Sequence, residues 1–374
     1  MIDEVTYEVK PKQNIMHLPV YQPGKPIDEV KRELGLTEVI KLASNENPFG
    51  CSPKAKEAII AAVEQTSIYP DGGAVELTQA VAAELGVQPN QIIFGAGSDE
   101  VILMIARAFL TPQDETIAAF PTFPQYKHNA EVEGATVIEV SVDADGKHDL
   151  GAMLAKVNER TKIVWICNPN NPTGTILNEQ EIVSFLDAVP DHVMVVLDEA
   201  YVEYTVNGQF PDSIALLNKY KNIVVLRTFS KIFGLASLRI GYGVGHPDVI
   251  RSVNQVREPF NTTSYAQKAA LAAVKDKAFI EFCRDANAKG IAQLTAAFDE
   301  MGLPYFDANG NFIMVDVKRP GNDVFQSLLR QGIIVRHDPS WGYPTMIRVT
   351  VGSEEQNDKF VDALKLALRE VAVS

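Results

Sequence analysis

The sequence predicts an α/β fold with a mostly parallel, seven-stranded sheet sandwiched by helices, followed by a smaller α+β domain. Seven short apolar and β-branched runs alternate with helix-like segments, a pattern typical of parallel sheets covered on both faces. The pattern changes near residue 264, where long amphipathic segments begin. The chain has 374 residues, of which 46% are hydrophobic and 22% charged, which is enough material for two domains.

The elements follow one another in a regular order. We divide the chain into an N-terminal arm (1–36), a large domain (37–263) and a small domain (264–374). The strand candidates of the large domain are QIIFG, ETIAAF, ATVIEV, KIVWIC, VMVVLD, NIVVLRT and RIGYGVG, separated by helix-like segments such as DEVILMIARAFL and NEQEIVSFLDAV. The small domain is predicted to contain one long amphipathic helix ending at Met301, then FIMVDV, NDVFQSLLRQG, IIVRH, MIRVTVG and a final helix.

Composition argues against several classes of protein. The net charge is −14 and no block of Lys or Arg occurs, so we expect no nucleic-acid partner. Cys51, Cys167 and Cys283 are far apart and form no CxxC pair, which favours neither a disulfide framework nor a zinc site and fits a reducing cytoplasm. The polar, acidic start is unlike a signal peptide, and the run VILMIARAFL is too short to cross a membrane.

The stretch NIVVLRTFSKIFGLASLRIG carries the first candidate for chemistry. An apolar strand leads directly into Ser230 and Lys231, and Arg239 follows eight residues later. A lysine amine that is partly desolvated at the end of a strand has a lowered pKa and can attack a carbonyl to form a Schiff base. The alternative is an ordinary exposed lysine in a turn.

Two further stretches place polar groups after predicted strands. In HVMVVLDEAYVEY, five apolar residues lead into Asp198, at the sheet edge where α/β proteins bind ligands. Asp198 could be the counter-ion of a protonated heterocycle or a helix N-cap, and Tyr201 follows three residues later. In CNPNNPTGTIL, Asn171 precedes Pro172 and could aim an amide donor, or it could belong to a simple turn.

The stretch FGAGSDEV predicts a strand, a turn of small residues and a helix start, whose backbone N–H groups can cradle a phosphate. It is not a dinucleotide fingerprint, because Glu100 occupies the third glycine position, and no Walker A lysine follows. Phe123 lies just after another strand, where it could stack on a ligand or belong to the core.

Together these groups match the requirements of one cofactor, pyridoxal phosphate (PLP). Lys231 offers an amine for its aldehyde, Asp198 a carboxylate for its pyridine nitrogen, and Phe123 a face for its ring. The remaining groups suit its phosphate and phenolic oxygen: Ser98, Ser230 and Arg239 for the first, Asn171 and Tyr201 for the second. The sequence therefore predicts a PLP enzyme with no metal ion.

The motifs NPNNPTG, DEAY and SKIFGLASLRIG resemble those of the fold-type I aspartate aminotransferase superfamily. More narrowly, KLASNENPFG, YPDGG, GAGSDE and GIIVRH…MIRVTVG resemble the histidinol-phosphate aminotransferase family. The similarity covers the chain from about His17 onward, with the motifs in family order. It implies the PLP-dependent transferase fold type I.

The resemblance also implies roles for individual residues around the cofactor. Lys231 would form the Schiff base, Asp198 would pair with the pyridine nitrogen, and Tyr201 would bind the phenolic oxygen together with Asn171. The phosphate would be held by Gly97, Ser98, Asp99, Ser230 and Arg239. Phe123 would stack on the ring, although many family members have a tyrosine at this position, so a hydrogen bond from that hydroxyl is missing here.

Other matches concern the substrate and a second subunit. Arg348 and Arg336 would bind substrate anions, and Tyr21 and Asn47 would also contact the substrate. Alternation in MIRVTVG supports Arg348, because it lies on the strand face opposite the apolar residues. Tyr69 would reach the phosphate in a neighbouring subunit, which implies a homodimer with active sites shared across the interface.

The implied reaction interconverts L-histidinol phosphate and 2-oxoglutarate with imidazole-acetol phosphate and L-glutamate, in histidine biosynthesis. An aromatic amino acid aminotransferase, or an enzyme with both activities, is the main alternative. A decarboxylase of the phosphothreonine type on the same scaffold is less favoured. A PLP-sensing transcription regulator is least favoured, because no basic recognition helix is visible.

Overall fold

The structure is a computed structural model that describes residues 9–20, 26–206, 208 and 210–372. Its strands are β1 (Ile40–Lys41), β2 (Ile92–Gly95), β3 (Glu115–Phe120), β4 (Thr136–Ser141), β5 (Thr161–Cys167), β6 (Met194–Asp198), β7 (Ile223–Thr228), β8 (Gly241–Gly245), β9 (Phe312–Asp316), β10 (Ile333–Ile334) and β11 (Met346–Thr350).

The central sheet in the described part of the chain has seven strands in the order β2-β8-β7-β6-β5-β3-β4. Neighbouring strands from β7 through β4 run parallel, and only β8 is antiparallel to its neighbours β7 and β2. The prediction of a mostly parallel, seven-stranded sheet is therefore confirmed. Because the central strands are parallel, the carboxyl ends of β5, β6 and β7 lie side by side at one edge.

The helices of the described residues are α1 (Ile27–Leu34), α2 (Pro53–Ala62), α3 (Val75–Leu85), α4 (Ser98–Phe109), α5 (Gln125–Val132), α6 (Leu150–Leu154), α7 (Glu179–Ala188), α8 (Ser213–Leu216), α9 (Pro247–Asn254), α10 (Ser264–Val274), α11 (Lys277–Met301), α12 (Gly321–Arg330) and α13 (Glu354–Glu370). The prediction of one long helix ending at Met301 is wrong, because Lys275 and Asp276 separate α10 from α11. Asp276 is buried and pairs with Lys54 of α2 at 3.1 Å, so packing on α2 holds the break.

Two apolar cores cover the faces of the central sheet, and a third lies among the carboxyl-terminal elements. Buried alanines of α10 pack in the first, whereas Leu294 and Phe298 of α11 pack in the third. Strands β9 and β11 form an antiparallel pair, and β1 runs parallel to β10. The segment around Ile40 thus packs with the carboxyl-terminal core, although the domain division at 37 and 264 stays a prediction.

A membrane span would need a long apolar helix, and none is found among the residues that the structure describes.

Candidate active site

A cleft of about 450 Å³ opens at the carboxyl edge of the central sheet, between that edge and β11. It brings together most of the residues that the sequence singled out. Its lining includes Gly97, Ser98, Asp99, Phe123, Asn171, Asp198, Tyr201, Ser230, Lys231, Arg239, Arg336 and Arg348.

One end of the cleft is built to hold an anion. Helix α4 begins at Ser98, and Gly97 before it has a φ of 81°, a conformation that favours glycine. A Cβ atom at Gly97 would lie 2.5 Å from Nη2 of Arg239, so a larger residue here would require the guanidinium to shift. Arg239 donates to Oγ of Ser230 at 3.3 Å and pairs with Asp99 at 3.2 Å. Helix N–H groups, a hydroxyl and a guanidinium together suit a phosphate.

A buried acid lies at the end of β6. Burial raises the pKa of Asp198 to about 7, although a hydrogen bond from the Tyr126 hydroxyl opposes that rise. Tyr126 donates to Oδ2 at 2.7 Å, and the backbone N–H of Ala200 donates to Oδ1 at 3.2 Å. The carboxyl faces the cleft and can be either ionised or protonated near neutral pH. It is therefore suited to pair with a basic ring nitrogen.

Lys231 follows β7 and turns its amine into the same cleft. Nζ lies 5.5 Å from the centre of the Tyr201 ring and 3.4 Å from the carbonyl oxygen of Ser44. Burial, and then the charge of Arg348, lowers the pKa of the amine to about 8. The shift has the direction expected for an amine that attacks carbonyl carbons near neutral pH.

The phenol of Tyr201 is buried beside the lysine, and burial raises its pKa above the usual value. Nδ2 of Asn45 donates to the Tyr201 hydroxyl at 3.0 Å. Asn45 has a φ of 55°, and its backbone N–H donates to Oγ1 of Thr350 at 3.0 Å. The sequence reasoning missed Asn45, whose available signal was its place in the family-like motif KLASNENPFG.

Two arginines on adjacent backbone segments face the cleft. Arg348 is buried on β11 and donates to Asn171 Oδ1 and, at 2.7 Å, to the carbonyl oxygen of Ala43. Arg336 is bridged to Arg348 through the backbone and pairs with Asp338 at 2.9 Å. The two guanidinium groups, of Arg336 and Arg348, therefore form a cationic wall of the cleft.

Aromatic side chains enclose that wall. The Arg348 guanidinium lies 5.3 Å from the ring centre of Phe312 and 5.7 Å from that of Trp341. Phe123 lines the cleft and meets the ring of Tyr126 edge-on at 5.6 Å. The cleft thus has apolar surface next to its charges, as a ligand with a planar ring requires.

Two of the predicted residues that the structure describes, Asn47 and Tyr69, do not line the cleft. Asn47 donates to the Ile232 carbonyl at 2.7 Å and does not line the cleft, whereas Glu46 beside it does. Tyr69 is 80% exposed and stacks on Phe260 at 4.8 Å, away from this cleft. Tyr21 lies outside the described residues.

The residues of the cleft fit PLP. A phosphate cradle, a buried acid, a reactive amine and an aromatic face surround one space, and Gly97 of the cradle lies so close to Arg239 that a Cβ there would crowd the guanidinium. Tyr126 is a further functional candidate that the sequence reasoning missed, because its link to Asp198 spans 72 residues and leaves no local pattern.

A mostly parallel α/β sheet that presents this lysine, acid and phosphate cradle at one edge defines a PLP-dependent transferase of fold type I. The family model for aminotransferase class I and II matches residues 37–364, and the chain belongs to that family.

The chain is similar to several proteins that are named histidinol-phosphate aminotransferase. It is 54% identical over 359 residues to the histidinol-phosphate aminotransferase of Geobacillus sp. (strain WCH70), covering 96% of this chain and 98% of that one. It is 49% identical over 353 residues to the histidinol-phosphate aminotransferase of Bacillus subtilis (strain 168), covering 94% and 98%.

Solved structures agree with this similarity. The histidinol-phosphate aminotransferase from Sinorhizobium meliloti, in complex with pyridoxal-5'-phosphate, superposes with a TM-score of 0.89 at 26% identity, covering 98% of this chain and 99% of that one. An aspartate aminotransferase mutant from Thermus thermophilus has a TM-score of 0.83 at 22% identity, covering 96% of this chain and 100% of that one, which reflects the shared fold.

Proposed function

We propose that the protein is a histidinol-phosphate aminotransferase that uses PLP to exchange an amino group between L-glutamate and imidazole-acetol phosphate. The products are 2-oxoglutarate and L-histidinol phosphate, a step of histidine biosynthesis. Similarity at 54% identity over 96% of the chain supports the substrate. The observation that carries the proposal is that Lys231, Arg336 and Arg348 line one cleft, because an amine then lies near the anchor of an anionic substrate.

The cofactor would be held by residues at the sheet edge. The phosphate fits between the start of α4, Ser230 and Arg239, and the pyridine nitrogen fits Asp198. The hydroxyl of Tyr201 and the amide of Asn171, which both line the cleft, would bind the phenolic oxygen. When bound, PLP supplies an electron sink for the charge that develops on the substrate's Cα.

Lys231 has the properties of the group that moves the proton. Since its pKa is lowered to about 8, a substantial fraction of the amine is neutral near physiological pH and can accept a proton. The amine would take the proton from the substrate's Cα and return it to the cofactor's reacting carbon. Arg348 beside it keeps the amine from holding a proton too tightly, because the two like charges repel.

The arginine wall would orient both substrates. Glutamate presents carboxylates and histidinol phosphate presents a phosphate, and a guanidinium fork binds either anion with paired hydrogen bonds. Phe123 and Trp341 line the cleft and offer apolar surface to an imidazole ring. The same surface suits a benzene ring, so aromatic amino acids are a second candidate substrate class.

Kinetics with purified protein and added PLP test the proposal. With 2-oxoglutarate as acceptor, we expect kcat/KM for histidinol phosphate to exceed that for phenylalanine. A larger value for phenylalanine would favour the aromatic aminotransferase. Release of carbon dioxide without a keto acid would contradict transamination.

The variant Lys231→Ala tests the catalytic assignment. We expect it to lose the visible absorption band of the lysine-bound cofactor and to lose transamination by at least about 10³-fold, because proton transfer and covalent attachment both disappear. Lys219→Ala, an exposed lysine, is the matched control and should retain both. Retained turnover in Lys231→Ala would remove this residue from the mechanism.

We also propose a cytoplasmic homodimer with shared active sites. Cys51, Cys167 and Cys283 are all free thiols, which suits a reducing compartment. Tyr69 and Phe260 form an exposed aromatic pair, and an exposed pair of this kind suits a protein interface.

A further inference from the structure

We propose that Tyr126 is a positioning residue for this reaction, whose hydroxyl fixes Asp198 in the orientation and charge state that the cofactor's ring nitrogen requires. The inference rests on the proposed function, because it presupposes PLP bound next to Asp198. Tyr126 does not line the cleft, so it would act only through the acid.

The carboxyl of Asp198 is held from two sides. The Tyr126 hydroxyl donates to Oδ2 at 2.7 Å, and the backbone N–H of Ala200 donates to Oδ1 at 3.2 Å. The shorter of these two bonds comes from the side chain, and both residues of that bond are buried. The carboxyl plane is therefore set by Tyr126 of α5, 72 residues away in the sequence, as well as by the segment that follows β6.

Tyr126 is itself held rigidly. Its ring stacks on the buried ring of Trp165 with centres 5.1 Å apart and planes 9° apart. A second ring contact is edge-on with Phe123, at 5.6 Å and 76°. Because Phe123 lines the cleft, one side chain ties the acid for the ring nitrogen to the aromatic residue that would stack on the ring.

The charges around Asp198 favour its neutral form, and the Tyr126 hydroxyl opposes them. Asp99 and Glu199 both oppose the charged form of the acid, and the charge of Asp198 in turn contributes to the raised pKa of the buried Cys167 thiol. The Tyr126 hydroxyl has the largest effect in favour of the carboxylate, against burial that raises the pKa to about 7. The pKa of Tyr126 stays well above its usual value, so its hydroxyl remains a donor.

This hydrogen bond determines where a shared proton lies. A carboxylate that accepts a hydrogen bond is a weaker base, so a proton between Asp198 and the ring nitrogen stays on the ring. Without the Tyr126 hydroxyl, Asp198 competes better for that proton and the ring loses its positive charge. A neutral ring is a poorer electron sink. It also repels the proton on the lysine nitrogen that is linked to the cofactor less strongly, so the pKa of that nitrogen rises.

The variant Tyr126→Phe removes the hydroxyl and keeps the ring. Titration of the apoenzyme with PLP should show a Kd about 10- to 100-fold higher than that of the wild type, the effect of losing a hydrogen bond to a charged group. The pH at which the visible band of the bound cofactor changes should move upward. Tyr204→Phe, a buried tyrosine outside the cleft, is the matched control and should match the wild type in both.

The outcomes separate the possibilities. Unchanged PLP affinity and an unshifted band in Tyr126→Phe would overturn the inference, and so would an apoenzyme melting temperature that falls while the band stays in place. If Tyr126→Phe does not fold, a fluorinated tyrosine at position 126, a stronger donor, should move the band's pH midpoint downward, and no movement would overturn the inference. A wild-type protein that shows no PLP band would instead refute the proposed function.

Discussion

The amine of Lys231 lies in a cleft that desolvates it, next to the guanidinium of Arg348, and both effects lower its pKa to about 8. In the unfolded chain the pKa returns to the ordinary value of 10.5. Between these two values the unfolded chain binds a proton that the folded apoenzyme has released. The stability of the apoenzyme should therefore rise as the pH increases through this window, and the penalty is fully present below pH 8.

Replacing this amine tests the linkage. In the apoenzyme, Lys231→Met should increase the free energy of unfolding at pH 7 by on the order of 1–3 kcal/mol, because no charge is then buried. The gain should shrink as the pH rises from about 8 and vanish near 10.5. Urea unfolding of the apoenzyme at several pH values measures it. A gain that does not depend on pH would show that packing, and not charge, is responsible.

At the scale of single elements, a buried ion pair joins the ends of β6 and β7. Glu199 follows Asp198 and accepts from Nε and Nη2 of Arg227 at 3.0 and 2.8 Å. The side chain of Glu199 is 1% exposed and that of Arg227 is 16% exposed. The pair fixes two strands that deliver Asp198 and Lys231 to the cleft.

Breaking that pair should be costly. Arg227→Met leaves a buried carboxylate without a partner and should lower the free energy of unfolding by about 3–5 kcal/mol. The double variant with Glu199→Gln should recover part of the loss, because the uncompensated charge is gone. Chemical unfolding measures both. Lys219→Met, which breaks an exposed pair with Asp187, is the control and should leave the unfolding midpoint nearly unchanged. An equally small change for Arg227→Met would mean that water reaches Glu199.

The strands could be predicted from the sequence because their signal is local. Each apolar run of the central sheet overlaps an observed strand, as at Met194–Asp198 and Ile223–Thr228. The break between α10 and α11 could not be predicted from the sequence, because the apolar pattern continues through Lys275 and Asp276. It depends on where α10 packs, which is on α2, more than 200 residues earlier in the chain.

The residues of the candidate site, like the strands, could be predicted only where their signal in the sequence is local. Residues at the end of a strand or just after it, such as Asp198 and Lys231, could be placed at the sheet edge. Tyr126 and Asn45 could not, because their contacts with Asp198 and Tyr201 join segments 72 and 156 residues apart. Asn45 also has a positive φ, which the sequence does not indicate at a residue other than glycine.

At the scale of the whole molecule, the proposed shared sites make two inactive variants complementary. Lys231→Ala should be inactive, and Tyr69→Ala should be strongly impaired if Tyr69 serves the neighbouring subunit. In a mixed dimer, one site then has both native residues. Co-refolding equal amounts should restore about a quarter of wild-type activity, since half of the dimers are mixed and each has one intact site. Activity no higher than the average of the two separate variants would show that Tyr69 does not act across subunits.

The pairing of β1 with β10 has a mechanical consequence. The chain leaves β1 at Leu42, whose carbonyl accepts from the backbone N–H of Thr350 at 2.9 Å, and three residues later Asn45 bonds to the Thr350 hydroxyl and to Tyr201. Thr350 lies on the same strand as Arg348. Because Thr350 joins the strand of Arg348 to Asn45, we expect an anion that displaces the Arg348 guanidinium to disturb the hydrogen bond between Asn45 and Tyr201 as well.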